Sequence, residues 1–486
     1  MLRSLYSGIS GLKVHQTAMD VIGNNISNVN TIGFKASSTK FSDVLYQTSQ
    51  GATAPNPVMG KAGTNPMSIG LGASVASIST DMAAQGGAQR TDNALDLMIN
   101  GTAFFIVSQG GTNYFTKAGA FNKDGQGMLA TEAGAYVMGW GVDPDNPNNI
   151  LQTSVKPLKI STVDNMTSEP EGTSEVYFSG NVDQNDTALI KGRTLQMEFY
   201  DNLGNKYTAA YKLTQQDTLD KNIYDIELTD IKDDEGLSIF VEKVEENGQT
   251  KYVAKDPTPS VDLGDNKFTL TNVDEDTGKV ELSGVASTLT FNASTGKFVS
   301  IDDGTTSGDK MTIKINTGSV GDISAERLFS DINVDFSAMT MYEDNGNSSI
   351  TAERGDRELG IGAGKTKGAY KGVSVGTDGR IYAAYSNGDT KLLGQIAVAQ
   401  FTNPSALEAI GNNMYKITQS SGDFDGIGKD ISEIGLSFST GVLEMSNVDI
   451  STEFTNMITT QRGFQANSRI ITTSDTLLEE LINLKR

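Results

Sequence analysis

The chain has 486 residues, which is too many for a single hydrophobic core, so we expect several domains of roughly 100 to 200 residues each. Its formal net charge of −22 disfavours binding to nucleic acid or to anionic lipid, because both partners are themselves negatively charged. The chain contains no Cys, which excludes disulfides, thiolate metal sites and cysteine nucleophiles.

We expect no Sec signal at the N-terminal end and no membrane-spanning helix anywhere in the sequence. Gly, Ser, His and Gln interrupt its apolar residues, so the continuous apolar core of a signal peptide is missing. A run of 18 apolar residues, the length needed to span a bilayer, occurs nowhere in the sequence. If the protein works outside the cell, we expect it to be exported by another route.

The first 30 residues predict an amphipathic helix. Apolar residues recur every seventh position, with further apolar residues beside them on the helix surface. We expect the helix to end near Asn28 to Asn30, where turn and cap residues replace helix formers. The predicted apolar stripe comprises Leu5, Ile9, Leu12, Met19, Ile22 and Ile26.

The middle of the chain predicts strands. Residues 51–72 mix Gly, Pro and small residues without a period, which indicates an extended connector. Apolar runs follow at 95–107 and 114–131, where Asp124-Gly125 marks a hairpin. Residues 151–350 then hold 17 Lys and Arg against 35 Asp and Glu, and strand signals recur there at short spacing. A further β segment resumes at 368–418.

The C-terminal end predicts a second, longer heptad helix over 449–484, with Asp449 or Ser451 as its cap. Two narrow apolar stripes at opposite ends of one chain favour an antiparallel helix pair, although a helical cap on the β domains is an alternative. Because one pair cannot bury all these residues, neighbouring molecules would have to cover the rest. The second stripe comprises Ile450, Phe454, Met457, Phe464, Ile471 and Leu478.

The predicted fold is therefore mainly β and multidomain, with nested β domains and two long terminal α-helices that form a coiled-coil-like core domain. Nesting places both chain ends together. The predicted domains are 1–34 with 447–486 as the helical core, 35–72 with 419–446 as connectors, 73–150 with 351–418 as an inner β domain, and 151–350 as an outer acidic β domain of one or two subdomains.

Three patterns that could carry chemistry have simpler interpretations. GIGAGKT at 360–366 resembles a phosphate-binding loop, but Leu359 stands where that motif requires Gly, so we predict a Gly-rich turn. Residues 272–276 space Asn and Asp like calcium ligands, yet the Gly and Glu of that motif are absent, which favours a hairpin turn. His15, the only His, is expected to pack on the helix rather than act as a base. No catalytic, cofactor or metal site is predicted.

Two strings at opposite ends of the chain resemble the signatures of flagellar axial proteins, the family of rod, hook and hook–filament junction subunits. These strings are IGNNISNVNTIGFK at 22–35 and TQRGFQANSR at 460–469, the latter followed by TTSDTLLEELINL. The residues that match the family pattern are Asn24, Asn25, Gly33, Phe34, Gln461, Arg462, Phe464 and Asn467.

This resemblance implies a structural subunit of a helical, tubular homopolymer of the flagellum, located outside the cell and not an enzyme. The large insertion at 151–350 favours a hook subunit, a flexible joint that transmits torque from rod to filament, over a stiff distal-rod subunit. Implied partners are many copies of the chain itself and the distal-rod, hook-cap, hook–filament junction and type III export proteins. A secreted β-rich binding protein or glycan hydrolase is the alternative from another class.

Overall fold

The chain forms two compact units in a computed structural model that describes residues 2–55, 60, 62–216, 221–246, 249–302, 307–317 and 328–484. Unit 1 comprises Met1–Met166, Lys371–Ala384 and Thr390–Arg486, and unit 2 comprises Thr167–Tyr370 and Tyr385–Asp389. These limits differ from the predicted domain limits at 150/151 and 350/351, and the finer four-part division stays a prediction. Residues 485–486 of the predicted helical domain lie outside the described residues.

Both predicted terminal helices are present, and the mainly β architecture between them confirms the predicted fold class. Asp449 caps the C-terminal helix, since its side chain accepts a hydrogen bond from Ser451 N at 3.0 Å. Within the described residues, no helix is both long and apolar enough to cross a membrane. The helices are α1 (Leu2–Ser27), α2 (Thr187–Lys191) and α3 (Ile450–Asn483), with 3-10 turns at Val163–Asn165 and Pro404–Ala406.

The first part of unit 1 holds a two-stranded ribbon followed by the strands of the β body. Its strands are β1 (Ser37–Asp43), β2 (Tyr46–Gln50), β3 (Met67–Gly70), β4 (Ala73–Thr80), β5 (Ala88–Arg90), β6 (Leu97–Asn100), β7 (Phe104–Gln109), β8 (Thr112–Thr116), β9 (Phe121–Lys123), β10 (Leu129–Thr131), β11 (Tyr136–Gly141) and β12 (Lys156–Pro157). In the ribbon, β1 pairs with β4 and β2 with β3, both antiparallel. Residues 37–43, 46–50 and 67–70 of the predicted connector 35–72 are thus paired strands and mostly exposed, and β4 lies in the predicted inner β domain.

Unit 2 is built from two main sheets around one core. Its strands are β13 (Thr167–Ser168), β14 (Glu175–Asn181), β15 (Arg193–Tyr200), β16 (Lys206–Gln215), β17 (Ile223–Asp233), β18 (Val241–Glu246), β19 (Gln249–Ala254), β20 (Ser260–Leu263), β21 (Asn266–Val273), β22 (Val280–Ser283), β23 (Ser287–Phe291), β24 (Phe298–Asp302), β25 (Ser307–Gly308), β26 (Lys310–Asn316), β27 (Ile332–Thr340) and β28 (Ser349–Arg354). One sheet has the order β22-β21-β20-β26-β27-β14-β28 and the other β15-β16-β17-β23-β24-β25. In the first sheet β14 and β27 are parallel.

The core of unit 2 follows from alternation along its strands. In β15 every second residue is buried, as expected where a sheet has one covered face. Inward residues of both sheets form a single apolar cluster, in which the Phe178 and Phe336 rings stack 5.1 Å apart. The Asn- and Asp-rich segment at 272–276 lies at the turn between β21 and β22, where Asp274 Oδ1 accepts a hydrogen bond from Asp276 N at 3.0 Å. The two strands pair antiparallel, which confirms the predicted hairpin.

The chain returns to unit 1 through β29 (Gly368–Val375) and β30 (Arg380–Tyr385), which contribute residues to both units. The remaining strands are β31 (Thr390–Ile396), β32 (Val398–Ala399), β33 (Glu408–Gly411), β34 (Met414–Lys416), β35 (Ser437–Thr440) and β36 (Val442–Glu444). The main sheet of unit 1 has the order β30-β31-β11-β7-β8-β34-β33. The predicted hairpin at Asp124 is confirmed by the pairing of β9 with β10.

Strand β7 is buried on both faces, which explains its uninterrupted apolar sequence. Phe105 and Val107 pack into one apolar cluster, while Phe104 and Ile106 pack into another on the opposite side of the sheet. The Phe105 ring meets the edge of Phe121, with centroids 4.9 Å apart. This strand therefore supports two cores at once.

Replacing Phe105 by Ala should lower the free energy of unfolding of unit 1 by about 3 to 5 kcal/mol, because it leaves a cavity in a close-packed site. Fluorescence of Trp140, the single Trp and itself buried in unit 1, reports the transition during denaturant unfolding. The matched change Phe454→Ala, at a half-exposed position, should shift the midpoint far less. Equal shifts would show that this core is not close-packed.

Candidate assembly surface on the terminal helices

The two terminal helices run antiparallel along a close seam. Near the start of α1, a side-chain carbon added at Gly11 would lie 2.6 Å from Asn467 Nδ2 of α3. At the other end of α1, Asn25 Nδ2 donates a hydrogen bond to Glu453 Oε1 at 3.1 Å. Residue numbers that rise along α1 thus fall along α3, as expected for the predicted antiparallel pair.

The seam of α1 is made mainly of small and polar residues, and Ile22 is the one residue of the predicted apolar stripe within it. Glycine allows the two backbones to approach closely, and the ring of His15 packs over Gly463, where an added carbon would lie 2.7 Å from it. His15 thus packs, as predicted. The seam residues are Gly8, Gly11, His15, Ala18, Ile22 and Asn25, whereas Leu5, Ile9, Leu12, Met19 and Ile26 of the predicted stripe lie half-buried beside them.

On α3 the predicted stripe divides into seam and exposed residues. Positions with heptad spacing 4-3-4-3 are buried or half-buried, namely Glu453, Met457, Thr460, Phe464, Asn467, Ile471, Ser474 and Leu478. Four other predicted assembly residues, Ile450, Phe454, Gln461 and Arg462, are exposed. The structure therefore brings together only part of the predicted set within one chain.

Asn25 joins three elements of unit 1. Its amide Nδ2 donates to Ser37 O at 2.8 Å as well as to Glu453, and its Oδ1 accepts from Ser37 N at 3.0 Å. The side chain is completely buried. Neighbouring Asn24 is exposed instead, and its Oδ1 accepts a hydrogen bond from Asn28 Nδ2 at 3.1 Å. Of the two matching asparagines, only Asn25 ties α1 to α3 and to the start of β1.

Gly33 forms the corner at which the chain leaves α1 for the β body. Its φ of +68° lies in the left-handed region that favours glycine, and an added side-chain carbon would lie 2.7 Å from Ala118 N. Its N–H donates to Glu444 O at 2.7 Å. Phe34, the next predicted residue, is half-buried. Both conformation and space therefore require glycine at position 33.

A buried ion pair beside this corner was not predicted from the sequence. Lys35 Nζ lies 2.7 Å from Glu444 Oε1, and each side chain is only 1% exposed. Lys35 Nζ also donates to Ala84 O at 2.6 Å, and Gly86 N donates to Glu444 Oε1 at 3.1 Å. Lys35 is the last residue of the string IGNNISNVNTIGFK that matches the family pattern, and this was the one feature of the sequence that could have drawn attention to it. No pattern in the sequence marked Glu444.

Asn447 and Lys117 complete this polar joint. Asn447 Oδ1 accepts from Ala36 N at 2.7 Å, and its Nδ2 donates to Ala84 O at 3.2 Å, so it holds the chain just before α3. Lys117 Nζ donates to Gly101 O at 2.6 Å. Burial lowers the pKa of Lys117 to about 8; nearby Glu444 opposes this shift and Lys35 adds to it. No pattern in the sequence marked Asn447 or Lys117 as members of this joint.

The outer surface of α3 carries large apolar side chains that the single chain leaves uncovered. Phe454 and Ile458 lie near its start, Ile470 and Leu477 lie nearer its end, and all four are exposed. Among the described residues, no group of three or more His, Cys, Asp or Glu side chains is arranged to hold a metal ion. The surface is suited to packing against other apolar surfaces.

Three family models match separate parts of the chain. Residues 5–35 match the model described as "Flagella basal body rod protein", residues 98–169 match "Flagellar hook protein FlgE/F/G D1 domain", and residues 439–484 match "Flagellar basal body rod FlgEFG protein C-terminal". The first and last of these segments contain every predicted assembly residue.

Several curated proteins are similar over their whole length. The flagellar hook protein FlgE of Borreliella burgdorferi is 33% identical over 504 residues, and that of Treponema pallidum is 32% identical over 515 residues, with 100% of both chains covered in each case. The Escherichia coli FlgE is 27% identical over 500 residues, covering 98% of each chain. A crystal structure of Helicobacter pylori FlgE2 is 15% identical, with a TM-score of 0.35, over 74% of this chain and 100% of that chain.

Replacing Asn25 by Ala should destabilise the helix pair by at least about 2 kcal/mol, because buried partners on β1 and α3 lose their hydrogen bonds. The melting temperature of the helical circular dichroism signal of the full-length chain measures this loss. Asn24→Ala, one residue away and exposed, should change stability by no more than about 0.5 kcal/mol. Indistinguishable melting curves for the two variants would contradict the role assigned to Asn25.

The stability of unit 1 should rise with pH around the pKa of Lys117. Its pKa of about 8 in the folded chain lies below its ordinary value of 10.5, so folding favours the neutral amine and stability increases as pH rises from 8 toward 10.5. Between pH 7.5 and 9.5 the free energy of unfolding should increase by about 2 kcal/mol, at 1.36 kcal/mol per pKa unit. Denaturant unfolding followed by Trp140 fluorescence tests this. Lys117→Met should abolish the increase; an unchanged increase would assign it to another group.

Proposed function

This chain belongs to the flagellar hook protein family, and from that premise we propose that its paired terminal helices are the elements through which copies assemble. The chain is a structural subunit of the bacterial flagellar hook. We further propose that the assembly is a helical tube acting as a flexible joint that transmits torque from rod to filament. The proposal assigns the chain no catalytic step and no cofactor.

One observation carries this proposal: α3 is paired with α1 along one side and still presents large apolar side chains on its other sides. Burying apolar surface is favourable by about 25 cal/mol per Å² removed from water, so neighbouring copies would gain by covering Phe454, Ile458, Ile470 and Leu477. A helical cap that served only its own β domains would have no use for such a surface. The exposed face therefore supports assembly over the internal-cap alternative.

The distal rod is the second candidate within the structural class, since two of the matching family models are described as rod proteins. The full-length relatives, however, are hook proteins that align across the central acidic region as well as the ends. A rod subunit without that region could not give such coverage. The alignment length therefore favours the hook, and a secreted hydrolase or binding protein has no observation in its favour.

The remaining partners and the location follow from the same family. We propose that the tube stands outside the cell in the flagellum, that subunits reach it through the flagellar type III apparatus without a Sec signal, and that its ends meet distal-rod, hook-cap and hook–filament junction proteins. Residues 151–350, which include most of unit 2, have a net charge of −18, and this suits a surface that faces water.

Placing a charge in the seam should prevent assembly. Phe464→Asp puts a carboxylate among half-buried apolar residues of α3, and burying an unpaired charge is costly, so tubes should be absent or much shorter. Electron microscopy and sedimentation of the purified full-length chain measure tube length. Gln465→Asp, an exposed neighbour given the same charge, should assemble normally. Tubes of normal length from Phe464→Asp would remove the terminal-helix argument.

A further inference from the structure

We propose that a cleft between α1, β1 and α3 binds a small monovalent cation, Na⁺ or K⁺, through the carboxylate of Glu453 and the hydroxyl of Thr39. The cleft has a volume of about 250 Å³, and all the segments around it belong to unit 1. Because the site lies within a single chain, it does not depend on the assembly of copies. It adds a bound ion to the contacts that hold the two ends of the chain together.

The carboxylate of Glu453 carries a negative charge that the chain does not compensate. Glu453 lies in the first turn of α3, and its Oε1 accepts a hydrogen bond from Asn25 Nδ2 at 3.1 Å. Its Oε2 is buried and has no hydrogen-bond partner in the described part of the chain. No Lys, Arg or His among the described residues forms an ion pair with this carboxylate. A buried charge without an opposite charge is costly, so a cation bound at this position stabilises the fold.

Thr39 provides a second oxygen without a partner. Asn25 Nδ2, which donates to Glu453, also donates to Ser37 O at 2.8 Å, so the start of β1 lies beside Glu453. Thr39 is two residues further along β1, and its side chain therefore lies on the same face of the strand as that of Ser37. The Oγ1 of Thr39 is also buried, with no hydrogen bond to any described residue. Thr39 and Glu453 both line the cleft, so each can offer an oxygen atom to a bound ion.

The other walls of the cleft also favour a cation. On α3, Asn456 and Thr460 follow Glu453 by three and seven residues, so their polar side chains lie on the same side of the helix. Oxygen atoms of carboxylates, amides, hydroxyls and water are the ligands that hard cations take. The wall formed by α1 is apolar, which lowers the local dielectric constant and strengthens the attraction between a cation and the carboxylate. The residues of this wall are Ala18, Val21 and Ile22.

The charge and the volume of the site select a monovalent ion. One carboxylate balances one positive charge, whereas Ca²⁺ takes about 6 to 8 oxygen ligands and its affinity depends on how many of them are charged. Within the described ranges, no three acidic, His or Cys side chains are grouped around a metal position. A water molecule occupies about 30 Å³ in the liquid, so the cleft has room for an ion with part of its hydration water. Water alone would satisfy the hydrogen bonds of Glu453 and Thr39 but would leave the charge uncompensated.

Melting of the full-length chain in different chloride salts tests the site. The helical circular dichroism signal is followed in NaCl, KCl and tetramethylammonium chloride, each at about 0.15 M, so that the ionic strength is the same. Tetramethylammonium is too large for close contact with the carboxylate. We expect the melting temperature to be about 2 to 4 °C higher in NaCl or KCl, since an ion that binds only the folded chain stabilises it. The salt that gives the higher temperature identifies the preferred ion.

Substitutions at the two ligands show whether the effect belongs to this cleft. Glu453→Gln keeps the oxygen that accepts from Asn25 Nδ2 and replaces Oε2 with an amide nitrogen, which cannot bind a cation, so the difference between salts should disappear whatever the melting temperature itself becomes. Glu479→Gln removes the same charge from an exposed position of α3 and should keep the difference. Thr39→Val removes the hydroxyl with little change in shape and should reduce the difference, whereas the exposed control Thr48→Val should not. The Thr39 pair decides the question if Glu453→Gln fails to fold.

Three results would overturn the proposal. Screening of the net charge of −22 depends on ionic strength alone, so equal melting temperatures in the three salts would show that the cleft holds only water. The same difference between salts in Glu453→Gln as in the unmodified chain would assign the effect to another site. Stabilisation by added MgCl₂ or CaCl₂, with no effect of Na⁺ or K⁺, would show that the bound ion is divalent.

Discussion

The structure of unit 1 depends on one constraint: the two ends of the chain must meet at a joint that is buried and polar. Lys35 and Glu444 are 409 residues apart in sequence, yet their side chains form an ion pair with almost no exposure to water. Such a pair adds little net stability compared with apolar residues, but losing one partner leaves a costly buried charge. Keeping both partners is therefore what matters at this joint, because each compensates the buried charge of the other.

The seam between α1 and α3 follows from this joint. Gly33 turns the chain beside Glu444, and Asn25 then fixes α1 against β1 and the first turn of α3. From that point small residues on α1 let the helices stay close along their shared length. The seam uses α3 on one side only, which leaves large apolar side chains for contacts outside the chain. Under the proposed function, folding within the subunit and assembly between subunits would use different faces of one helix.

Local patterns in the sequence predicted the helices and hairpins better than they predicted which residues pack against each other. The heptad period predicted both terminal helices, and Asp449 marked the start of α3. The turns at Asp124 and Asp274 predicted two hairpins. All these features depend on residues that are close in sequence. The apolar pattern did not mark Gly8 and Gly11 of the seam, because glycine contributes nothing to such a pattern, although its lack of a side chain lets the two helices approach closely. The Lys35–Glu444 pair joins distant segments, so no local pattern could reveal it.

The way unit 2 is inserted has a consequence for how such proteins can vary. The chain enters unit 2 at β13 and leaves near the start of β29, and these segments pair directly, with Thr167 opposite Ala369 and Ser168 opposite Gly368. Paired residues on adjacent strands have Cα atoms about 5 Å apart, so entry and exit share one narrow anchor. Nearly all of unit 2 therefore lies between two chain segments that are held close together, and only Tyr385–Asp389 joins it from a later part of the chain. A foreign domain with closely spaced ends is geometrically compatible with this position, provided that the role of Tyr385–Asp389 is kept.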